Sequence, residues 1–173
     1  MGVITIIRRV RIGSSKEKVW NAIADIGAVE RLHPYIVLSR VTSTKESGIG
    51  ATRHLHCSHY GIELKERVVT WKENDLLKLA MYESRNLPMR AEMISSFALT
   101  EEGDATLLTG TLRYASANWV GGLWDRLVLD RLHLSGWTKF MAGIKHYVET
   151  GEPVDQRTRL DLGAELIDHG SGS

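Results

Sequence analysis

The stretch that decides the fold is residues 123–148, LWDRLVLDRLHLSGWTKFMAGIKHYV. Its apolar side chains recur at steps of three and four residues and form one stripe over about seven helical turns. The stripe consists of Leu123, Leu127, Leu134, Trp137, Met141, Ile144 and Val148. Gly151 and Pro153 end the pattern, because glycine favours helix termination and proline cannot continue a helix. The spacing predicts one long C-terminal helix that buries this stripe against another layer.

Seven upstream segments predict the strands of that second layer. They combine β-branched or alternating apolar residues with turn-forming residues at their ends, and they cover residues 3–12, 36–44, 51–58, 62–71, 76–83, 90–100 and 105–115. Short consecutive strands with tight turns favour an antiparallel sheet. Between the first two strands we expect two short helices. Ser14 and Glu17 have the spacing of a capping box for the first, and residues 28–32 form the second.

The order of elements predicts an α+β protein: a curved antiparallel sheet of about seven strands wrapped around a long C-terminal helix, with two short helices after the first strand. A strongly curved sheet cannot fill all the space beneath a helix, so we expect a cavity between the two. We assign residues 1–150 to one domain. Residues 151–173 are expected to form a tail whose last four residues, Gly-Ser-Gly-Ser, resemble a linker remnant.

Composition excludes several classes of protein. The chain has 173 residues, with 22 Lys and Arg against 21 Asp and Glu, and its net charge of +1 argues against a nucleic-acid partner. A single cysteine, Cys57, excludes a disulfide framework. No apolar run reaches the roughly 18 to 20 residues of a membrane span, and the arginines near the start follow the apolar residues, the reverse of a signal peptide. We expect a cytoplasmic protein.

Several short motifs, in this order, resemble the START-like, birch-pollen-allergen-like superfamily, and within it the polyketide cyclase/dehydratase-like branch. They are Lys18-Val19-Trp20, the run from Asp25 to Pro34, Gly50-Ala51-Thr52-Arg53 and Glu66-Arg67-Val68. The resemblance covers about residues 3 to 150. It implies the helix-grip fold with an apolar cavity between sheet and C-terminal helix.

Members of this superfamily bind lipids, hormones and polyketides, and some catalyse cyclisation or dehydration. The present chain departs from many relatives at two positions. Leu32 replaces a tryptophan before His-Pro, and Leu79 replaces an aromatic residue. Both changes make the expected cavity more aliphatic.

Arg53 and Glu66 are the first candidates for polar chemistry. Glu66 lies between Leu64 and Val68 in the alternation of its strand and should point inward, and the resemblance implies the same for Arg53. Because a buried carboxylate needs a partner, the two residues either form a structural ion pair or hold a polar group of a ligand. Both alternatives stay open at this point.

Asp130 is the second candidate because it occupies a core-facing position of the helical stripe, three residues before His133. An inward carboxylate beside an imidazole is suited to general acid–base catalysis. The alternative is a slightly rotated helix, in which Asp130 meets solvent or pairs with Arg126 or Arg131.

His33 and Tyr35 flank Pro34 at the corner between the second short helix and the next strand. They are candidates to line the cavity, although His33 could instead satisfy carbonyl groups at a helix end. His54, His56, Cys57 and His59 are close in sequence, but alternation along a strand divides them between two faces. We therefore expect no metal site.

The sequence thus favours a module that binds a small hydrophobic ligand. We expect it to use no cofactor and to exist as a monomer or a homodimer. The expected walls of its cavity are Leu64, Val68, Leu79, Met81, Met93, Phe97, Leu108, Leu112, Tyr114, Leu134 and Trp137. Gly110 should leave room among them. The alternative is an aromatase/cyclase or dehydratase in which Arg53, Glu66, Asp130 and His133 act on a bound chain. A third possibility is an interaction module with little cavity.

Overall fold

A computed structural model describes residues 3–87, 93–115 and 122–162, and for residue 115 and residues 122–133 it describes the backbone alone. The strands in chain order are β1 (Val3–Ile12), β2 (Ile36–Val41), β3 (Thr52–Cys57), β4 (Glu63–Lys72), β5 (Leu76–Arg85), β6 (Met93–Glu102) and β7 (Ala105–Ala115). Helix α1 (Lys16–Ala24) and a 3-10 helix (Val29–Arg31) follow β1, and helix α2 (Gly122–Thr150) follows β7. The predicted order of elements is confirmed.

The seven strands form one curved antiparallel sheet in the order β1-β7-β6-β5-β4-β3-β2. One residue bulges out of the pairing at each of three positions, Val37 in β2, Val69 in β4 and Tyr82 in β5. All three bulged side chains are exposed. Bulges bend a strand and increase its twist, so they help the sheet to curve towards α2.

Helix α2 runs in the same direction as β1 across the concave face. Arg8 Nε donates to Thr138 Oγ1 at 3.2 Å, and Lys145 Nζ donates to the Arg11 carbonyl. The backbone N–H of Gly13 donates to Glu149 Oε1 at 2.7 Å, one turn further on. Met141, Ile144 and Val148 are buried beneath the helix, as the stripe predicted. Neither α1 nor α2 has the length and hydropathy of a membrane-spanning helix within the described residues.

One detail differs from the sequence expectations. The N-cap of α1 is Ser15, whose hydroxyl accepts the Lys18 N–H at 3.3 Å, so the expected cap at Ser14 was wrong by one residue. In addition, packing continues beyond Thr150. Val154 is buried and its N–H donates to the Arg31 carbonyl at 2.9 Å. The boundary at residue 150 stays a prediction, and the Gly-Ser ending lies outside the described residues.

Candidate functional site

Backbone pairing aligns the inward side chains of neighbouring strands in rows across the concave face. The arginine row comprises Arg53, Glu66, Met81, Met93, Tyr114 and Ile4. The serine row comprises Val68, Leu79, Ser95, Leu112 and Ile6. The glycine row comprises Leu77, Phe97, Gly110 and Arg8. Residues from six strands thus share one surface beneath α2.

Arg53 and Glu66 form a buried ion pair at the β3 end of the arginine row. Nε and Nη2 of the arginine lie 2.7 and 2.6 Å from Oε2 of the glutamate, and the two side chains are only 4% and 5% exposed. The inward orientation of both residues is confirmed. Since the charges neutralise each other, the pair can remain in an apolar environment. A structural role and a ligand-binding role are both compatible with this geometry.

The apolar candidates for the walls are mostly buried on the same face. They include Leu79, Met81, Phe97, Leu108, Tyr114 and Trp137, none more than 8% exposed. Phe97, Trp137 and Phe140 contact one another, with ring centroids 5.4 to 5.8 Å apart. This aromatic cluster joins the glycine row to α2.

Gly110 does not leave room for a ligand, contrary to our expectation. A Cβ at this position would clash with Met141 Sδ and would lie 2.9 Å from Met141 Cε and 3.0 Å from Trp137 Cζ2. Trp137 Nε1 also donates to the Gly110 carbonyl at 3.3 Å. The missing side chain lets α2 approach the sheet closely, and the helix fills the vacated volume itself.

The predictions for residues nearer the N-terminus of α2 have different outcomes. Leu134 was expected to form a wall of the cavity, and it is 38% exposed. Asp130 and His133 lie on the α2 backbone, but their side chains are outside the described residues. Whether they converge on the arginine row therefore stays a prediction.

His33 and Tyr35 both connect the corner before β2 to α2. His33 Nδ1 accepts the Tyr35 N–H at 3.1 Å, so Nε2 carries the proton and donates to the Gly136 carbonyl at 3.2 Å. Tyr35 Oη accepts a hydrogen bond from Lys139 Nζ at 2.8 Å. His33 does satisfy a helix carbonyl, but one inside α2 rather than one at the end of its own helix.

The environment of His33 favours the neutral imidazole. Burial, together with the nearby Lys139 ammonium group, lowers its pKa from 6.5 to about 4, and the hydrogen bond to Gly136 opposes this shift only in part. Phe140 packs edge-on against the ring, with centroids 5.5 Å apart. At neutral pH the imidazole is thus a fixed donor and acceptor that ties the corner to α2.

The histidines of β3 lie on the outer face of the sheet. His54 Nε2 is 3.3 Å from Glu63 Oε2, and His56 Nδ1 is 3.9 Å from Glu63 Oε1. In the described part of the chain, no three histidine, cysteine or carboxylate side chains are arranged to hold a metal ion. Cys57 is on the inner side of the strand, where burial and the charge of Glu66 raise the pKa of its thiol to about 11.

Two inward polar residues were missed at the sequence level. Arg8 is 8% exposed and occupies the inward position between Ile6 and Val10. Ser95 is 5% exposed and alternates with Met93 and Phe97. The signal was available in both strands, because each residue interrupts an alternating apolar series with the correct period.

Comparison with solved structures supports the fold. The Zhui aromatase/cyclase of Streptomyces sp. R1128 has a TM-score of 0.72 at 13% identity, over 86% of this chain and 94% of that one. The TTHA0849 protein of Thermus thermophilus has a TM-score of 0.70 at 14% identity, over 83% and 96%. A START superfamily protein of Mycobacterium smegmatis has a TM-score of 0.65 at 16% identity, over 84% and 97%. These likenesses confirm the helix-grip fold.

Comparison of the sequence with curated proteins finds no match. Comparison with protein families matches residues 4–159 to the family described as polyketide cyclase / dehydrase and lipid transport. The match includes the arginine, serine and glycine rows, both ends of the sheet and all of α2. The chain therefore belongs to the polyketide cyclase/dehydrase and lipid transport family.

Proposed function

We propose that this protein binds a small hydrophobic molecule, of lipid or polyketide type, between the concave face of the sheet and α2. The observation that carries the proposal is the buried Arg53–Glu66 pair at one end of a row that otherwise consists of large apolar side chains. Binding sites for small molecules combine mostly apolar walls with a few polar anchors, and this row has that composition.

The contacts of α2 support one part of this face as the proposed binding site. Trp137 and Met141 fill the space over Gly110, so the glycine row is occupied by the protein itself. Since α2 and β1 run in the same direction, the helix segment before Trp137 leads towards the serine and arginine rows. We assign the ligand to these two rows, with Leu79, Met81 and Tyr114 as walls.

Two measurements test this function. Native mass spectrometry of freshly purified protein should detect a co-purified apolar compound, and the apolar dye diphenylhexatriene should bind the protein freed of it. The double variant Arg53→Leu/Glu66→Leu removes the polar anchor without leaving one buried charge behind. It should bind the co-purified compound at least tenfold more weakly, whereas Arg113→Leu, an exposed arginine of β7, should have no effect. A protein that is empty and binds no apolar dye would contradict the proposal.

A second candidate function is cyclisation or dehydration of a polyketide-like chain in the same space. The family description and the likeness to an aromatase/cyclase favour it. In this proposal Asp130 and His133 transfer protons while Arg53 stabilises the negative charge that develops on a carbonyl oxygen. Incubation with a thioester that carries several β-keto groups should then yield a cyclic product. One α-carbon adds to a second ketone of the same chain, and the hydroxyl group formed in this step leaves as water. The Asp130→Asn variant should still bind the thioester but should form no product.

We also propose that the protein acts in the cytoplasm, as a monomer or a homodimer, with the small molecule as its principal partner. Light scattering after size-exclusion chromatography distinguishes the two assembly states. The proposed binding site requires only one copy of the chain, because its rows come from the strands of a single sheet.

A further inference from the structure

Ser95 is an isolated polar residue in the centre of the concave face. It is 5% exposed, and its neighbours across the strands are Leu79 on β5 and Leu112 on β7. Before and after it on the same face of β6 lie Met93 and Phe97. Its hydroxyl oxygen is buried and has no hydrogen-bond partner among the residues that the structure describes.

Two other buried hydroxyl groups in the described part of the chain are satisfied. Ser39, which is 6% exposed, donates to the Ile26 carbonyl at 2.8 Å. Thr106, which is fully buried, donates to the Ser14 carbonyl at 2.7 Å. Glu30 Oε2 and Asn74 Oδ1 are also buried without a partner in the described part of the chain, but they lie in the 3-10 helix and in a turn. Because buried polar groups in proteins nearly always have a partner, Ser95, which lies on the concave face, is suited to bind one from outside the chain.

We propose that Ser95 binds the ligand directly, and that the atom it holds is a neutral carbonyl or hydroxyl oxygen carried on an apolar skeleton. This inference rests on the proposed function, because it concerns the same space beneath α2. It adds the chemical class of the ligand and a binding residue. A serine hydroxyl can either donate to a carbonyl or accept from a hydroxyl, so both oxygen types fit.

The charges on this face explain why the oxygen is neutral. Arg53 lies three strands away and is paired with Glu66. Arg8 lies two strands away and donates to Thr138 Oγ1 and to the Ile7 carbonyl. Among the described residues, a carboxylate placed against Ser95 would therefore lack an adjacent cation and would be strongly disfavoured in this apolar setting.

The apolar neighbours of Ser95 indicate that the ligand oxygen lies inside the ligand skeleton and not at its end. Leu79, Leu112, Met93 and Phe97 surround the hydroxyl on four sides, so the ligand atoms on either side of the oxygen must be apolar as well. The ligand class is thus an internal ketone or a secondary alcohol, and not a chain whose only polar group is a terminal carboxylate.

Two dyes of different polarity test the inference. Prodan carries a ketone whose emission shifts to the red when its oxygen accepts a hydrogen bond, and diphenylhexatriene has no polar atom. The Ser95→Ala variant breaks no hydrogen bond among the described residues and should fold. Ser95→Cys keeps the shape of the side chain with only a small increase in volume. We expect the Prodan Kd to rise about fivefold to tenfold in both variants, with a blue shift of the bound emission. The diphenylhexatriene Kd should stay unchanged.

Ser39→Ala serves as the matched control, because it removes an equally buried hydroxyl outside the proposed site. It should lower the Tm and leave the Prodan Kd and emission as in the wild type. Wild-type Prodan binding in Ser95→Ala, or equal weakening of both dyes, would overturn the assignment of Ser95 while the proposed function stands. Failure of the wild-type protein to bind either dye would overturn the proposed function and this inference together.

Discussion

Arg53 and Glu66 face each other across β3 and β4, with Arg53 Nη2 2.6 Å from Glu66 Oε2 and hardly any of either side chain exposed. The pair lies in a row with Met81 and Met93, so water cannot replace a lost partner. Each residue therefore depends on the other for its charge to be tolerated.

Removal of Arg53 alone should be more damaging than removal of the whole pair. We expect Arg53→Leu to lower the free energy of unfolding by about 3 to 5 kcal/mol, because it leaves the Glu66 carboxylate buried without a partner. Arg53→Leu/Glu66→Leu should recover most of this loss. Urea unfolding of the single and double variants measures both values, and equal losses in the two proteins would contradict the expectation.

Stability should fall in mild acid because of His33. Its pKa is about 4 in the folded protein and 6.5 in the unfolded chain, so between these values the unfolded chain binds a proton that the folded protein does not. At pH 7 the imidazole is mostly neutral in both states. On going to pH 5, this group should lower the free energy of unfolding by about 2 kcal/mol.

The pH effect can be isolated with a variant. His33→Gln replaces the ring by a side chain that does not titrate in this range, so its stability should depend less on pH between 7 and 5 than that of the wild type. His56→Gln, on the outer face, provides the control. Urea unfolding at the two pH values gives the comparison. If the free energy of unfolding of His33→Gln falls between pH 7 and pH 5 as much as that of the wild type, His33 is not the source of the effect.

Substitution by alanine should change the stability of the protein differently at three glycines. Gly110→Ala should lower the free energy of unfolding by about 1 to 3 kcal/mol, because its methyl group clashes with Met141. Gly143→Ala should also destabilise the protein, since the methyl group meets the Leu32 carbonyl oxygen. Gly136→Ala meets none of the described atoms within 4 Å and should stabilise α2 by up to about 1 kcal/mol. Thermal unfolding ranks the three variants.

Cys57 should react slowly with thiol reagents in the folded protein. Its pKa of about 11, against 9.0 for an ordinary cysteine, reduces the thiolate fraction near pH 8 about a hundredfold. Ellman's reagent should therefore label the native protein at least a hundred times more slowly than the protein in urea. Rapid native labelling would show that the thiol is neither buried nor influenced by Glu66.

Much of the fold could be predicted because hydrophobic periodicity reports which face of an element is buried. The bounds of β1 and β7 and the extent of α2 follow directly from it. The alternation of Leu64, Glu66 and Val68 likewise placed Glu66 correctly on the inner face. The ends of helices and strands were harder to predict. The N-cap of α1 at Ser15 is an example, because two adjacent serines are equally able to cap a helix.

The contents of the site were harder to predict, since periodicity gives the face of a residue but not what packs over it. Gly110 was correctly assigned to the inner face, yet the approach of Met141 and Trp137 depends on how α2 crosses the sheet. His33 was placed near the cavity, but its bond to Gly136 joins residues that are far apart in sequence. Contacts between distant elements required the structure.

The pairing of β1 with β7 affects when the sheet can form while the chain is being synthesised. Val3 pairs with Ala115 and Ile12 with Thr106, so β1, which is synthesised before the other strands of this sheet, cannot pair with β7 until β7 has been made. Contacts between such distant residues slow folding, and an unpaired apolar strand is prone to aggregate in the meantime. The arginines at positions 8, 9 and 11 add charge to this strand and oppose self-association while it waits.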